Sequence, residues 1–178
     1  MAFIRRKNSS QQCLDIELEP NINPHSDFCF RAERFLRSNG FSVAFNDRLR
    51  AWSNEGELPD AIGFRNGVSC LIEVKCSRSD FLVDKKKRFR VDPTKGMGDW
   101  RFYMCEPGII VSEDLPDGWG LLYVEGRKVI KVQGWPGNAL WLTEKPFISN
   151  KQAECDYLYS ALRRVFSKGY ADLIYAEN

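Results

Sequence analysis

The sequence predicts an α/β (α+β) domain: a central mixed sheet flanked by helices, built in the order helix–strand–hairpin–helix–strand. Three observations carry this. Phe28, Ala32, Phe35 and Leu36 recur at helical spacing and stop at Gly40. Two apolar runs flank Asn66-Gly67, the strongest short-range hairpin signal. Residues 119–124 and 128–132 flank Glu125-Gly126 and read as a second hairpin, with a strand over residues 100–105 between the two.

In chain order, residues 1–24 read as a polar, basic N-terminal tail. Within it Leu14-Asp-Ile-Glu-Leu-Glu alternates well enough for a short strand. Ser26 or Asp27 can cap the first helix. Residues 41–45 follow as a strand, then a polar connection from Asn46 to Glu57 carrying Arg48, Arg50 and Trp52. After the Asn-Gly hairpin, Ser77 or Ser79 can cap a helix to about Phe89 that carries Lys85, Lys86, Lys87, Arg88 and Arg90. Residues 91–99 are a loop by their Pro and Gly content. The strand at 100–105 is expected to lie parallel to residues 71–75 after the helical crossover. Residues 108–112 extend that strand or turn. Residues 133–150 read as irregular, with Trp135 and Trp141 either stacking bases or packing under the loop. Residues 151–168 form a final helix with Cys155, Leu158, Tyr159, Leu162, Val165 and Phe166 on one face and Gly169 as its stop, a core or homodimer element. One domain over residues 25–178 is expected, its core at about 26–132 and a C-terminal loop and helix at 133–170.

The first hairpin fixes where chemistry can sit. With Asn66 and Gly67 as a type I′ loop, Arg65 pairs with Val68, Phe64 with Ser69, Ile62 with Leu71, and Asp60 with Glu73. The two carboxylates then face each other, their Cβ atoms roughly 4.5–5.5 Å apart. Lys75 points to the same side about 7 Å further on. Like charges so placed repel. A shared proton, a bridging Lys75 or a divalent cation would relieve them, and Mg²⁺ favours such hard oxygen ligands. A cation there can polarise a phosphodiester, and a lysine beside its water can position that water or take its proton.

Pro59-Asp60 followed by Glu73-Val74-Lys75 resembles the signature of the PD-(D/E)xK, or restriction-endonuclease-like, nuclease superfamily. The continuation Cys76-Ser77-Arg78-Ser79-Asp80-Phe81, with Trp100-Arg101-Phe102-Tyr103 and Pro107-Gly108, is similar to small MmcB-like DNA-repair nucleases and phage-borne relatives. The similarity spans about residues 26–124. It implies a Mg²⁺- or Mn²⁺-dependent deoxyribonuclease acting in DNA repair, recombination or phage DNA processing. The implied metal ligands are Asp60, Glu73 and the main-chain carbonyl of Val74. Lys75 would activate the attacking water. Glu33, in the place of the superfamily's first-helix glutamate, would support the metal or its water; the plain alternative is an i,i+4 pair with Arg37.

Composition excludes several other classes. A formal charge of +2 gives no whole-protein field for nucleic acid, so any basic surface must be local. The candidates for phosphate contact are Arg48, Arg50, Arg78, Lys85, Lys86 and Lys87, although a charge run is more often a solvated face. Six cysteines without zinc spacing suit reduced thiols in a cytoplasmic protein; Cys70 and Cys76 read as small apolar residues of the hairpin. No secretory core or bilayer-length apolar run is visible. The single histidine, His25, excludes two-histidine metal sites and reads as a capping or surface residue. Residues 92–99 contain no P-loop. Two further readings stand beside the nuclease: a non-catalytic module docking DNA or protein, and a purely structural ion-pair cluster.

Overall fold

The computed structural model describes residues 23–51 and 56–176. The expected strand in residues 14–19, together with Cys13 and Trp52, lies outside them. Helix α1 (Pro24–Ser38) is followed by β1 (Val43–Asn46), β2 (Ala61–Arg65) and β3 (Val68–Val74). Two short helices, α2 (Arg78–Asp84) and α3 (Arg88–Val91), lead to β4 (Trp100–Cys105). The hairpin β5 (Trp119–Glu125) and β6 (Lys128–Gln133), the long α4 (Lys151–Ser167) and a 3₁₀ turn at Ala171–Ile174 follow. The six strands form one mixed sheet in sequence order: β3, β4 and β5 are parallel, and the remaining neighbours antiparallel. The α+β class and the helix–strand–hairpin–helix–strand order follow the sequence.

The first helix is capped by Asn23, whose side chain accepts from the His25 N–H, with Pro24 at the first helical position. This corrects Ser26 and Asp27 as caps and moves the end of the tail back past Pro24. Gly40 takes φ +90°, as a helix stop requires. The hairpin register matches the expectation from Arg65↔Val68 to Ile62↔Leu71 and ends at Ala61↔Ile72. The turn is not type I′, because among these residues only Gly67 has positive φ and Asn66 does not. The strand at 100–105 pairs in parallel with β3, from Cys70↔Trp100 to Val74↔Met104. Residues 107–110 make one isolated bridge and do not extend it.

Two cores cover the two faces of the sheet. One, under α1, gathers Leu36, Phe41, Cys70, Ile72, Phe102 and Trp141. The other gathers Ile62, Leu71, Phe81, Met97, Tyr103 and Tyr157. Trp141 is 1% exposed, ringed edge-on by Phe41, Trp100 and Trp135, so it packs and leaves no face for a base.

The helix expected to reach Phe89 stops at Asp84 and resumes at Arg88. Ser77 is its cap, accepting from the Asp80 N–H. Residues 91–99 are not wholly a loop: Val91 ends α3 and Pro93–Lys95 form a 3₁₀ turn. In α4 the buried residues are Ala153, Glu154 and Tyr157, while Tyr159, Leu162 and Phe166 are exposed and Cys155 with them. The expected apolar face is corrected because a buried polar clamp sets the helix's rotation. Ser69 donates to Glu154 at 2.5 Å, and Lys151 bridges Asp99 at 2.8 Å and Glu154 at 3.0 Å. Cys76 also departs from expectation, standing exposed beyond the end of β3. Among the described residues no helix is long and apolar enough to cross a membrane.

Candidate functional site

The carboxyl ends of β3, β4 and β5 share one edge of the sheet, where open α/β sheets commonly bind ligands. Asp60, Glu73 and Lys75 all lie at this edge. Within β3, Val68, Cys70, Ile72 and Val74 belong to the core under α1. Strand alternation therefore sends Glu73 to the other face, with Leu71.

There Glu73 enters a buried charge cluster. Its Oε2 lies 3.1 Å from Lys75 Nζ and its Oε1 3.0 Å from Arg90 Nη2. Arg90 also meets Glu57 at 2.6 Å and Asp84 at 2.9 Å. Lys75 reaches Asp84 at 3.4 Å. Every one of these side chains is at most 6% exposed. Lys87, half-exposed, caps Asp84 from the rim at 2.7 Å. Tyr103 donates to Asp84 at 2.9 Å and stacks on Trp119, whose ring lies beneath the Arg90 guanidinium.

The electrostatics follow from burial opposed by charge. Burial works against the Lys75 ammonium, but Glu73, Asp84 and Asp60 outweigh it and hold its pKa above the ordinary lysine value. Asp84 is also opposed by burial, yet Arg90, Lys75 and Lys87 pull it well below the carboxylate range. Burial dominates at Glu57 and raises its pKa despite Arg90.

Asp60 behaves differently from the expected partner of Glu73. It stands before β2, past the last ladder pair, so strand alternation does not orient it. Its Oδ2 accepts the Val74 N–H at 2.8 Å, and its Oδ1 lies 3.3 Å from His25 Nε2 on α1. The directly opposed acid pair is thus corrected: Asp60 turns toward α1, and Glu73 toward α2 and α3. Its hydrogen bond to Asp60 raises the His25 pKa, against the effect of burial. His25 is accordingly more than a capping or surface residue.

The other expected residues are dispersed. Glu33 accepts from Asn46 Nδ2 at 2.6 Å and lies 3.6 Å from Arg37, so the i,i+4 pair is present. Arg78 is bound to Asp114, and Lys85 donates to the Asp114 carbonyl at 2.8 Å. Arg48, Arg50 and Lys86 are exposed. Sequence reasoning missed Glu57, Asp84 and Arg90 as a unit. A readable signal did exist for Asp84: it follows Phe81 by three residues, which puts an acid on the buried face of α2.

Two ligand sets can be weighed for a metal. Asp60, Glu73 and the Val74 carbonyl supply hard oxygens suited to Mg²⁺ or Mn²⁺. Around that site stand Glu57, Asp60, Glu73 and Asp84, with Lys75, Lys87, Arg90 and His25 set against them. Both Glu73 oxygens are engaged, Oε2 by Lys75 and Oε1 by Arg90. The second set is His25, Cys29 and Asp47, whose ligand atoms lie within 4.8 Å of one another. Metal binding there needs a thiolate, and burial, with Asp60 and Asp47, holds the Cys29 thiol far above its ordinary pKa. By donor type the oxygen set suits Mg²⁺ or Mn²⁺ better, and its two carboxylates turn toward different elements.

No family model matches the sequence, and no curated protein does. Among solved structures, a protein of unknown function from Silicibacter pomeroyi aligns over 82% of this chain and 90% of its own, with TM-score 0.56 and 23% identity. That likeness is one of fold: the chain shares its α+β architecture with this neighbour.

Proposed function

We propose that this chain is a metal-dependent nuclease hydrolysing DNA phosphodiester bonds, with Asp60, Glu73 and Lys75 at its centre. The observation that carries the reading is Lys75: a buried ammonium kept charged between Glu73 and Asp84, at the edge where Asp60 is pinned to the neighbouring Val74 N–H. Holding a Mg²⁺ or Mn²⁺ ion would require Glu73 to leave Arg90 and meet Asp60 and the Val74 carbonyl, and that ion would polarise the phosphodiester and acidify its own water. Lys75, with its raised pKa, orients that water and offsets charge growing on the phosphate. Asp84 fixes the direction of the Lys75 side chain. Glu33 accepts from Asn46 of β1.

The test is a cleavage panel in Mg²⁺ or Mn²⁺ across single-stranded, duplex, flapped and branched DNA. Asp60→Asn and Lys75→Met should each abolish cutting while the fold persists by circular dichroism. Cutting that survives both substitutions refutes the assignment.

One observation favours a second reading, a non-catalytic nucleic-acid- or protein-binding module on the same fold. Glu73 is already neutralised by Lys75 and Arg90, as a structural ion cluster requires. Calorimetry with Mn²⁺ separates the two. The nuclease takes up metal in a manner lost with Asp60→Asn, and the module does not.

A further inference from the structure

We propose that the groove between α1 and the β5–β6 hairpin is a track for the phosphate backbone of a nucleic acid, bound without regard to sequence. Two clefts, of about 550 and 680 Å³, adjoin at Ser38. The first is lined by Arg31, Arg34 and Arg127, with Asp27. The second is lined by Arg65 and Lys131, with Trp135. Five cations thus face one carboxylate, and Asp27 is already paired to Arg31 at 2.7 Å. This local surplus of four exceeds the formal +2 of the entire chain.

The cations are held in a way that leaves their charge available. Among the described residues Arg34, Arg65, Arg127 and Lys131 have no carboxylate partner. Arg34 lies over Phe30, Arg65 over Phe41 and Trp141, and Lys131 over Trp135 and Phe35. Stacking on a ring orients a cation without cancelling it. The basic run after β3 differs, since Arg78 and Lys87 are spent on Asp114 and Asp84.

Topology gives the track a direction. Because β5 runs parallel to β3 through β4, the turn at Gly126 and Arg127 lies at the sheet edge that carries Asp60 and Lys75. Arg31 donates to the Gly126 carbonyl and ties that turn to α1. Arg65 lies at the opposite edge, where β2 turns into β3. The groove therefore follows the 15 residues of α1. That is about 22 Å, or roughly six base-pair rises. An anionic polymer with regular charges matches this geometry. The track deepens the nuclease reading by leading a strand toward the proposed centre, but as a binding site it stands without hydrolysis.

The test is fluorescence anisotropy of labelled single-stranded and duplex DNA with the full chain in EDTA, between 50 and 200 mM salt. EDTA removes metal, so loss of cleavage cannot be confused with loss of binding. Four phosphate contacts predict that log K falls against log salt with a slope of about −3. The Arg34→Gln/Arg127→Gln and Arg65→Gln/Lys131→Gln pairs should each halve that slope and weaken binding about tenfold at 0.1 M salt. Lys86→Gln should change neither. No binding, a slope unchanged in both groove pairs, a loss confined to Lys86→Gln, or equal affinity for polyglutamate overturns the proposal. The last outcome would assign the groove to an acidic protein segment.

Discussion

Replacing Arg90 with methionine tests whether the buried charge cluster is a balanced unit. The guanidinium serves three carboxylates, Glu57 at 2.6 Å, Asp84 at 2.9 Å and Glu73 at 3.0 Å, and is only 3% exposed. Methionine keeps much of the volume and contact with Trp119 but removes the charge. Lys75 still reaches Glu73 and Asp84, and Glu57 keeps its bond from the Met97 N–H but loses its contact with Arg90. Removing one member of a buried ion network costs about 3–5 kcal/mol. The penalty should depend on pH, and its sign follows from the shifts. In the native protein Asp84 has a depressed pKa, so its stabilisation is present above the ordinary carboxylate range and is lost as pH falls through the folded value. Without Arg90, which lowers both, the folded pKa values of Asp84 and Glu57 rise. A raised acid favours the fold at low pH and loses that contribution as pH climbs through its folded pKa. The cost of Arg90→Met is therefore full at pH 8 and shrinks toward pH 5. Urea unfolding followed by tryptophan fluorescence at both pH values reads it directly. Lys87→Met is the control, since its half-exposed pair with Asp84 contributes less than about 1 kcal/mol. A loss below about 1 kcal/mol for Arg90→Met at pH 8, or an equal loss at both pH values, would refute the reasoning.

Two further predictions come from other parts of the molecule. His25 is the chain's single histidine, so its ring protons titrate as one resolved set in proton NMR. Its midpoint should lie above 6.5 and return toward 6.5 in Asp60→Asn, and a midpoint indifferent to that substitution would remove the His25–Asp60 contact from the account. The stability tied to His25 is present below its unfolded pKa and fades as pH rises through the folded one. At Gly120 a Cβ would be driven into the Phe102 ring and to 2.7 Å from the Gln133 carbonyl. Gly120→Ala should lower stability by about 1–3 kcal/mol in chemical unfolding, whereas Gly137→Ala, with nothing within 4 Å, should be near neutral.

The elements that were readable in the sequence rest on local physics. Gly40 stops α1 because the chain there needs positive φ. The Asn-Gly loop, being two residues long, fixes Arg65 opposite Val68 and every pair back to Ala61. Period-two alternation then decides that Glu73 and Leu71 share a face. What failed lay where local rules give way to distant partners. Asp60 sits one residue past the ladder, so a backbone N–H and a histidine 35 positions upstream set its direction. The rotation of α4 follows Ser69 and Asp99, far away in the chain, instead of its own apolar stripe.

By itself, then, the sequence determined the α+β class, the succession of elements through β4, the β2–β3 register and the presence of an acid–acid–lysine set at one sheet edge. Helical and strand periodicity, turn residues and loop length are properties of neighbours in the chain, and they suffice for that. Only the tertiary structure decided that Glu57, Asp84 and Arg90 close around Lys75, that Asp60 and Glu73 part company, and that the unpaired cations gather beside α1. Those outcomes depend on burial: once water is excluded, each charge must find an opposite one, and the nearest lies on another element of the fold.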